Sequence, residues 1–295
     1  MKQTNYLWGY TQAALSAIGF GTMGVIGVMA YQEGFSTSDL LSWRFGIASI
    51  ILIFISLYRG LFKDLSPKKT IICLLMGIIG YTGMTLLFFN SIKYIEVGLA
   101  TVLLYTYPIF VLAISRFTDK NQINLHQLFL IILAFIGLFF AIDFSSGNIN
   151  WIGITLGIST AIWYSIYLKI GEKIIKDIDP IFVSTFVSIG AFLSYFFIAI
   201  YSGGLIIPSS KIGWISVLTL AIFSTVFAII LLFQSIEKIG AVKASLISNL
   251  EPVTAIILGL IFLSETLSIS QFFGMGMILM SITLLITANK KVKPI

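Results

Sequence analysis

The sequence is poor in charge, cysteine and histidine, and each shortage excludes a class of protein. Only 10% of the 295 residues are charged and 58% are hydrophobic, whereas soluble domains carry about 25% charged residues. Such a chain cannot cover a water-facing surface, so we expect lipid to be its solvent. The single cysteine, Cys73, has no partner for an internal disulfide. With only one histidine, His126, a metal site or a Ser–His–Asp or Cys–His catalytic set is not expected.

Motifs for nucleotide hydrolysis are also missing. No GxxxxGK[ST] phosphate-binding loop occurs in the sequence, and the segments between apolar runs are too short to hold a soluble domain. We therefore expect no ATP-driven pump, no enzyme, no cofactor and no metal. The net charge of +6 does not predict a nucleic-acid partner, because the basic residues lie between apolar runs, which is typical of membrane topology.

Ten apolar runs have the length of a membrane span. A bilayer core about 30 Å thick requires roughly 20 residues of helix, and helices satisfy their own backbone hydrogen bonds in lipid. The predicted spans are 8–30, 38–58, 70–90, 97–116, 125–143, 151–169, 181–201, 212–234, 241–262 and 270–288. The fold class is therefore an all-α membrane protein with ten transmembrane helices.

The basic residues predict the orientation of these spans. Fifteen Lys and Arg residues fall in the termini and loops on the N-terminal side of the membrane, and two fall on the other side. Since cytoplasmic segments carry the excess of Lys and Arg, both termini are predicted to be cytoplasmic. Short loops and the absence of targeting extensions favour the bacterial plasma (inner) membrane, with the protein as a monomer or a weak homodimer.

An internal repeat divides the chain into two halves. Residues 90–95 match residues 234–239, and the same offset of 144 places Pro108 onto Pro252 and residues 16–18 onto residues 160–162. We place the two units at 1–146 and 147–295. Each unit has five spans, an odd number, so the second unit enters the membrane from the opposite side. Inverted repeats of this kind are typical of secondary transporters, whose substrate sites lie between the halves.

Four motifs in or beside the apolar spans are distinctive: Ala-Ser-Leu-Ile-Ser-Asn-Leu-Glu-Pro-Val at 244–253, Phe-Leu-Ser-Glu at 262–265, Gln-Phe-Phe-Gly at 271–274 and Leu-Ser-Trp-Arg-Phe at 41–45. Together with the ten spans and the repeat, they resemble the EamA-type branch of the drug/metabolite transporter superfamily. The first half departs from this pattern, with Tyr107-Pro108 in place of Glu-Pro and Asn121 in place of the later Glu. The resemblance covers the whole chain and implies a transporter with a central cavity. It leaves the substrate open, because members carry amino acids, metabolites, nucleotide-like compounds and drugs.

Glu251 is the first candidate for the substrate site. It lies ten residues into the ninth span, about 15 Å from the span's end at the usual helical rise. A carboxylate at this depth is expensive unless it faces a cavity or a partner, or binds a proton. It is therefore either a contact for a substrate amine or a proton-coupling group, or else it caps backbone groups that Pro252 exposes.

The remaining candidates are aromatic, polar, proline and glycine residues in the spans. Buried aromatic hydroxyl and N–H groups need partners, so the predicted substrate-binding set is Tyr81, Thr82, Tyr105, Tyr107, Trp163, Tyr164 and Asn249, together with Glu251. Helix–helix packing is the alternative for many of them. Pro108 and Pro252 are candidate hinges because a mid-helix proline removes a backbone hydrogen bond, and Gly19 and Gly21 are candidate hinges that also suit close packing.

Arg44 is a candidate anion contact in the second span. Its guanidinium group suits a substrate carboxylate, and the alternatives are that it extends outward to the interface or pairs with Asp39 or Asp143. We expect spans one, three, four, six, eight and nine to line the cavity, with spans five and ten at the periphery.

The predicted function is secondary transport of a small organic solute by alternating access. The candidate solutes are an amino acid or related metabolite, or a drug-like amine, with protons as a candidate coupling ion and the lipid bilayer as the surrounding partner. The alternatives are a membrane scaffold or subunit without transport activity, and a translocator of lipid-like substrates.

Overall fold

The computed structural model describes residues 2–63, 66–118, 124–141, 150–262 and 266–290, and side chains from residue 6 to residue 287. Within these ranges the chain forms ten helices that cross the fold and no β-strand. They are α1 Lys2–Gln32, α2 Thr37–Tyr58, α3 Pro67–Ser91, α4 Val97–Thr118, α5 Leu125–Ala141, α6 Trp151–Ile174, α7 Pro180–Tyr201, α8 Lys211–Ile239, α9 Ala241–Phe262 and α10 Ile269–Lys290.

Each predicted span falls on one of these helices, which confirms the all-α membrane fold. Nine of the helices described are long and apolar enough to cross a bilayer, and α5 is apolar with 17 residues. The predicted fifth span ends at residue 143, and the boundary between the two units at 146/147 follows it; both positions lie outside the described residues.

Short polar side chains begin several helices. Ser36 and Asp39 form a reciprocal capping box at the start of α2. The Asn150 side chain accepts a hydrogen bond from the Ile152 N–H at 2.9 Å at the start of α6, and Asp179 precedes Pro180 at the start of α7. These caps satisfy N–H groups that have no partner within the helix.

The two halves interlock through equivalent helix pairs. Helix α1 packs on α8 and α9 of the second half, and its equivalent α6 packs on α3 and α4 of the first half. Helix α2 packs against α7, and α5 packs mainly against α10, so each of these helices meets its own equivalent. This exchange of partners is what a two-fold relation between the repeats requires.

The same relation holds for individual contacts. A β-carbon at Gly9 would lie 2.7 Å from Ile239 Cγ2, and a β-carbon at Gly153 would lie 2.6 Å from Ile95 Cγ2. Gly9 and Ile95 of the first half correspond to Gly153 and Ile239 of the second half at the sequence offset of 144. With five helices in each half, the halves run in opposite directions. Their orientation in the bilayer, including cytoplasmic termini, stays a prediction.

Four of the ten helices are interrupted; irregular helices were expected at Pro108 and Pro252, whereas the π-helical segments were not predicted. Helices α3 and α8 each contain a π-helical segment, at Met76–Tyr81 and Ile222–Phe227. Helices α4 and α9 are divided at residues 105–106 and 248–249, so that their parts are Val97–Leu104 and Tyr107–Thr118, and Ala241–Ile247 and Leu250–Phe262. The interruptions occur at similar places in the two repeats.

The prolines of α4 and α9 do not kink continuous helices, contrary to the expectation for a mid-helix proline. Pro108 and Pro252 lie in the first turn of the helical part that follows each break. A proline is tolerated there, since the N–H groups of a first turn have no partner within the helix. Its ring would clash with the carbonyl of the fourth residue before it in a continuous helix, so each helix restarts just before its proline.

The close contact between α3 and α7 gives a stability prediction. A β-carbon at Gly190 would clash with the carbonyl oxygen of Leu74 beside the first π segment. We expect Gly190→Ala to destabilise the protein by about 1–3 kcal/mol, the usual range for overpacking. Thermal unfolding in detergent would measure this change. The matched control is Gly276→Ala in α10, where a β-carbon meets nothing within 4 Å. An equal Tm for both variants would contradict the predicted overpacking at Gly190.

Candidate functional site

A cavity of about 300 Å³ lies between α1, α4 and α9. It is lined by Phe20, Gly21, Met23 and Gly24 of α1, by Val97, Gly98, Thr101 and Tyr105 of α4, and by Glu251, Pro252, Ala255 and Ile256 of α9. Four of the predicted site residues meet here: Gly21, Tyr105, Glu251 and Pro252. The cavity therefore forms where the two broken helices face α1, and α3, α6 and α8 do not line it.

Glu251 and Tyr105 both line this cavity. Tyr105 lies in the break of α4, and Glu251 lies two residues after the break of α9. The cavity wall therefore combines a phenol hydroxyl group with a carboxylate. In the described part of the chain no backbone N–H group donates a hydrogen bond to the Glu251 side chain, so the geometry does not support the capping alternative.

Arg44, the candidate anion contact, does not line this cavity. Its guanidinium group is occupied by other partners. Arg44 Nε donates to Thr225 Oγ1 at 2.6 Å, and Nη2 donates to the Ser224 carbonyl oxygen at 2.8 Å. Both acceptors belong to the π segment of α8. Arg44 therefore holds that segment and does not line the cavity.

The alternatives that the sequence left for Arg44 are corrected by these contacts. Arg44 is 3% exposed, so it does not extend outward. It does not pair with Asp39, whose carboxylate accepts hydrogen bonds from the backbone N–H groups of Ser36 and Ile206, each at 3.1 Å. Asp39 is needed at the start of its own helix, because the first N–H groups there have no other partner. Asp143 lies outside the described residues.

Trp163 donates hydrogen bonds to the π segment of α3, as Arg44 does to that of α8. Its Nε1–H lies 3.2 Å from the Ile79 carbonyl oxygen and 3.0 Å from that of Gly80. The side chain is 39% exposed and lies outside the α1–α4–α9 cavity. In lipid, backbone groups released by an irregular helix must find partners within the protein, and indole N–H and guanidinium groups from neighbouring helices supply them here.

A threonine hydroxyl completes each π segment. Thr82 donates to the Gly77 carbonyl oxygen at 3.1 Å, and Thr225 donates to the Leu220 carbonyl oxygen at 2.9 Å. Each acceptor lies five residues before its threonine, which is the hydrogen-bond spacing of a π-helix. The structure thus gives Thr82, one of the predicted substrate-binding residues, a partner within its own helix.

The predicted tyrosines form an aromatic column beside the cavity. The Tyr107 ring lies 4.7 Å from that of Tyr164, edge to face, and Tyr164 stacks on Tyr167 at 5.9 Å. Tyr81 continues the column, with ring centroids 6.5 Å from Tyr167 and 4.9 Å from Phe45. Tyr167 was missed by the sequence reasoning, since an aromatic residue in an apolar span has no local feature that distinguishes it from core packing.

The glycines of α1 are sites of close approach. A β-carbon at Gly21 would lie 2.8 Å from the Glu251 carbonyl oxygen, and one at Gly19 would lie 2.9 Å from the Phe223 carbonyl oxygen. Gly21 therefore seats α1 on α9 beside the cavity. Gly19 seats α1 on the π segment of α8. These contacts account for both glycines by packing, and a hinge role stays a prediction.

The symmetric counterpart of the cavity is closed. The offset of 144 carries four of its lining residues, Gly21, Thr101, Tyr105 and Glu251, onto Ser165, Ser245, Asn249 and Tyr107. Tyr107 donates through its hydroxyl to the Ser245 carbonyl oxygen at 3.2 Å, and Ser165 donates to the Tyr107 carbonyl oxygen at 2.9 Å. All four counterparts are buried, with Asn249 bonded to the Leu246 carbonyl oxygen at 3.1 Å. The equivalent helices of the two repeats therefore leave a cavity at Glu251 and pack tightly around Tyr107.

A comparison with known families decides the identity of this fold. The EamA-like transporter family matches the chain twice, over residues 7–142 and 151–287. The chain belongs to the EamA-like transporter family. It is therefore a multi-pass membrane transporter and not an enzyme, as the sequence predicted. The second motif acid of the resemblance, Glu265, and its first-half counterpart, Asn121, lie outside the described residues.

Individual relatives of this EamA-like protein agree with that assignment. The uncharacterized transporter YyaM of Bacillus subtilis is 28% identical over 76% of each chain. The threonine/homoserine exporter RhtA of Escherichia coli is 26% identical over 85% of this chain and 83% of RhtA. A crystal structure of another protein superposes over the full length of both chains with a TM-score of 0.80 at 16% identity, which shows the shared fold alone.

The role of Trp163 gives a prediction that separates structure from substrate contact. Trp163→Phe leaves the Ile79 and Gly80 carbonyl oxygens without their donor, so we expect a loss of about 1–3 kcal/mol of stability. Thermal unfolding checks this, with Trp151→Phe, at a tryptophan that is 74% exposed, as the control. Unchanged stability combined with a loss of substrate binding would instead place Trp163 in the substrate path.

Proposed function

We propose that this protein is a secondary transporter of a small amine-bearing organic solute, with amino acids as the first class to test, and that it works by alternating access. The observation that carries the proposal is the pair of equivalent regions between the halves. One is a cavity containing Glu251 and Tyr105, and the other, at Tyr107, Ser165, Ser245 and Asn249, is packed shut.

The lining of the cavity favours an amine. Glu251 supplies a carboxylate, Tyr105 and Thr101 supply hydroxyl groups, and no residue around the cavity in the described chain is basic. Apolar side chains such as Phe20, Met23 and Ile256 complete the wall and suit an aliphatic or aromatic body. A volume of about 300 Å³ suits a ligand of amino-acid size, at the lower end of the usual range for ligand pockets.

A similar chain supports amino acids within this class. RhtA, which is related over most of the length of both chains, is a threonine/homoserine exporter. Threonine and homoserine each carry an ammonium group that suits Glu251 and a hydroxyl group that suits Thr101 or Tyr105. Their carboxylate finds no cation in the cavity wall, so we place it toward the open end, where water solvates it.

Alternating access follows from exchanging the conformations of the two repeats. In the opposite state the Tyr107–Ser245 and Ser165–Tyr107 hydrogen bonds open, and α1 closes against α4 beside Tyr105. The breaks at 105–106 and 248–249 lie next to both regions, so they are the hinges of this movement. Pro108 and Pro252 prevent either break from closing into a continuous helix.

Glu251 is also the residue that would couple transport through this cavity to a proton gradient. Without a nucleotide-binding motif, transport must be downhill, coupled to an ion or coupled to exchange of solutes. A carboxyl group in a membrane cavity can bind either a proton or a substrate amine. We infer that proton and substrate compete for Glu251, so that a pH gradient drives transport.

Replacing the carboxylate tests the amine site. Glu251→Gln keeps the size of the side chain and removes its charge, so we expect binding of threonine, homoserine and small primary amines to fall by tenfold or more, since the loss of a charge-assisted hydrogen bond is worth about 1.5–3 kcal/mol. Thermal-shift titration of purified protein measures binding, and flux into proteoliposomes measures response to a pH gradient.

The matched control is Glu237→Gln, near the end of α8, which removes an exposed carboxylate. Binding and gradient-driven flux that survive Glu251→Gln unchanged, in a folded protein, would rule out both the amine contact and the proton coupling.

Equivalent cysteines test the exchange of open and closed sides. In a Cys73→Ala background, Thr101→Cys places a thiol in the cavity and Ser245→Cys places one at the matching closed position. We expect a membrane-impermeant thiol reagent to label Thr101→Cys from one side and Ser245→Cys hardly at all. Adding the transported solute should slow labelling at the first position and raise labelling at the second from the opposite side. Labelling of both positions from one side would contradict alternating access.

A further inference from the structure

A second cavity, away from Glu251, is lined by lysines. It has a volume of about 370 Å³ and lies between the C-terminal ends of α4 and α6. Lys169 and Lys173 of α6 and Lys176 in the turn that follows it contribute three positive charges to its wall, and Glu172 contributes one negative charge. The spacing of four residues brings Lys169 and Lys173 to one face of the helix.

The negative charge in this wall is already occupied by the protein. Glu172 forms an ion pair with Lys169 through one carboxylate oxygen. Its other oxygen accepts a hydrogen bond from the Ala241 N–H at 2.8 Å, at the start of α9. Lys173 and Lys176 are exposed, so the cavity keeps a positive balance that suits an anion.

An apolar groove adjoins the lysines. Ile166 and Ile170 of α6 line the lysine cavity and also a groove of about 340 Å³ between α6 and the first part of α3. The residues described around that groove carry no charge, and Trp163 lies at its far end. Ile166 and Ile170 are 43% and 44% exposed in the structure. The C-terminal end of this helix face is therefore cationic, and the part of the same face that precedes it is apolar.

We propose that this face binds an anionic phospholipid, with the phosphate at Lys173 and Lys176 and an acyl chain along Ile166 and Ile170 toward Trp163. A free phosphate ion would use the lysines and leave the groove empty, whereas a phospholipid uses both. The lysines lie on the predicted cytoplasmic side, where basic residues near the membrane surface attract anionic headgroups.

Charge removal tests the headgroup contact. The variant is Lys173→Gln/Lys176→Gln, and the control is Lys63→Gln/Lys68→Gln, at exposed lysines that do not line the cavity. Native mass spectrometry of the full chain in detergent would count bound phosphatidylglycerol, phosphatidylcholine and glycerol 3-phosphate. We expect phosphatidylglycerol affinity to fall about fivefold per lysine removed, the factor for about 1 kcal/mol per charge, and to stay unchanged in the control.

Three results would overturn the proposal. They are equal phosphatidylglycerol binding by variant and control, equal binding of phosphatidylcholine and phosphatidylglycerol, and binding of glycerol 3-phosphate as tight as that of the lipid. The last result would identify a site for soluble phosphates.

Trp163 reports on the acyl chain independently. In a chain that keeps Trp163 and carries Phe at the other four tryptophans, brominated phosphatidylglycerol should quench the fluorescence more than brominated phosphatidylcholine. The lysine variant should remove that difference. Equal quenching by both lipids before the lysines are changed would contradict a specific site.

Discussion

The need to satisfy backbone polar groups within a lipid-facing fold governs this structure. Each π segment releases carbonyl groups that water cannot reach, and each receives a donor from a distant helix: Arg44 for α8 and Trp163 for α3. The irregular segments persist because these donors are in place. The breaks in α4 and α9 lie beside the cavity that Tyr105 and Glu251 line.

The two repeats use different residues at equivalent helix–helix contacts. Ser165 of α6 donates to the Tyr107 carbonyl oxygen, whereas its counterpart Gly21 in α1 brings the helix backbone close to Glu251. The missing β-carbon lets α1 approach α9 closely at Gly21 without a hydrogen bond at that position. Elsewhere α1 is held by polar contacts, such as the hydrogen bond from Ser16 to the Ala228 carbonyl oxygen of α8 at 2.7 Å.

In the described part of the chain, one charged side chain lines the cavity between α1, α4 and α9. Arg44 is fixed by the π segment of α8, and the aromatic column of Tyr107, Tyr164 and Tyr167 fills the closed side. Glu251 alone among the described cavity residues carries charge, and Tyr105 lines the same cavity. Family membership establishes a transporter, and this single carboxylate is the physical basis for proposing an amine as its cargo. Lys169, Lys173 and Lys176, at and just after the C-terminal end of α6, form a separate basic region away from this cavity.

The sequence by itself determined the ten helices and the offset of 144, because hydropathy and repetition can be read from the chain alone. It also predicted Glu251, Tyr105 and the two prolines as site residues, and their roles stay predictions. Tertiary structure alone decided that α3 and α8 contain π segments, that Arg44 and Trp163 bond to them, and that one cavity is open while its counterpart is closed. Those features depend on contacts between distant parts of the chain, such as Trp163 with Ile79, which are 84 positions apart, and Arg44 with Thr225, which are 181 positions apart. A donor's partner is set by which helix faces it, and no local pattern around Arg44 or Trp163 contains that information.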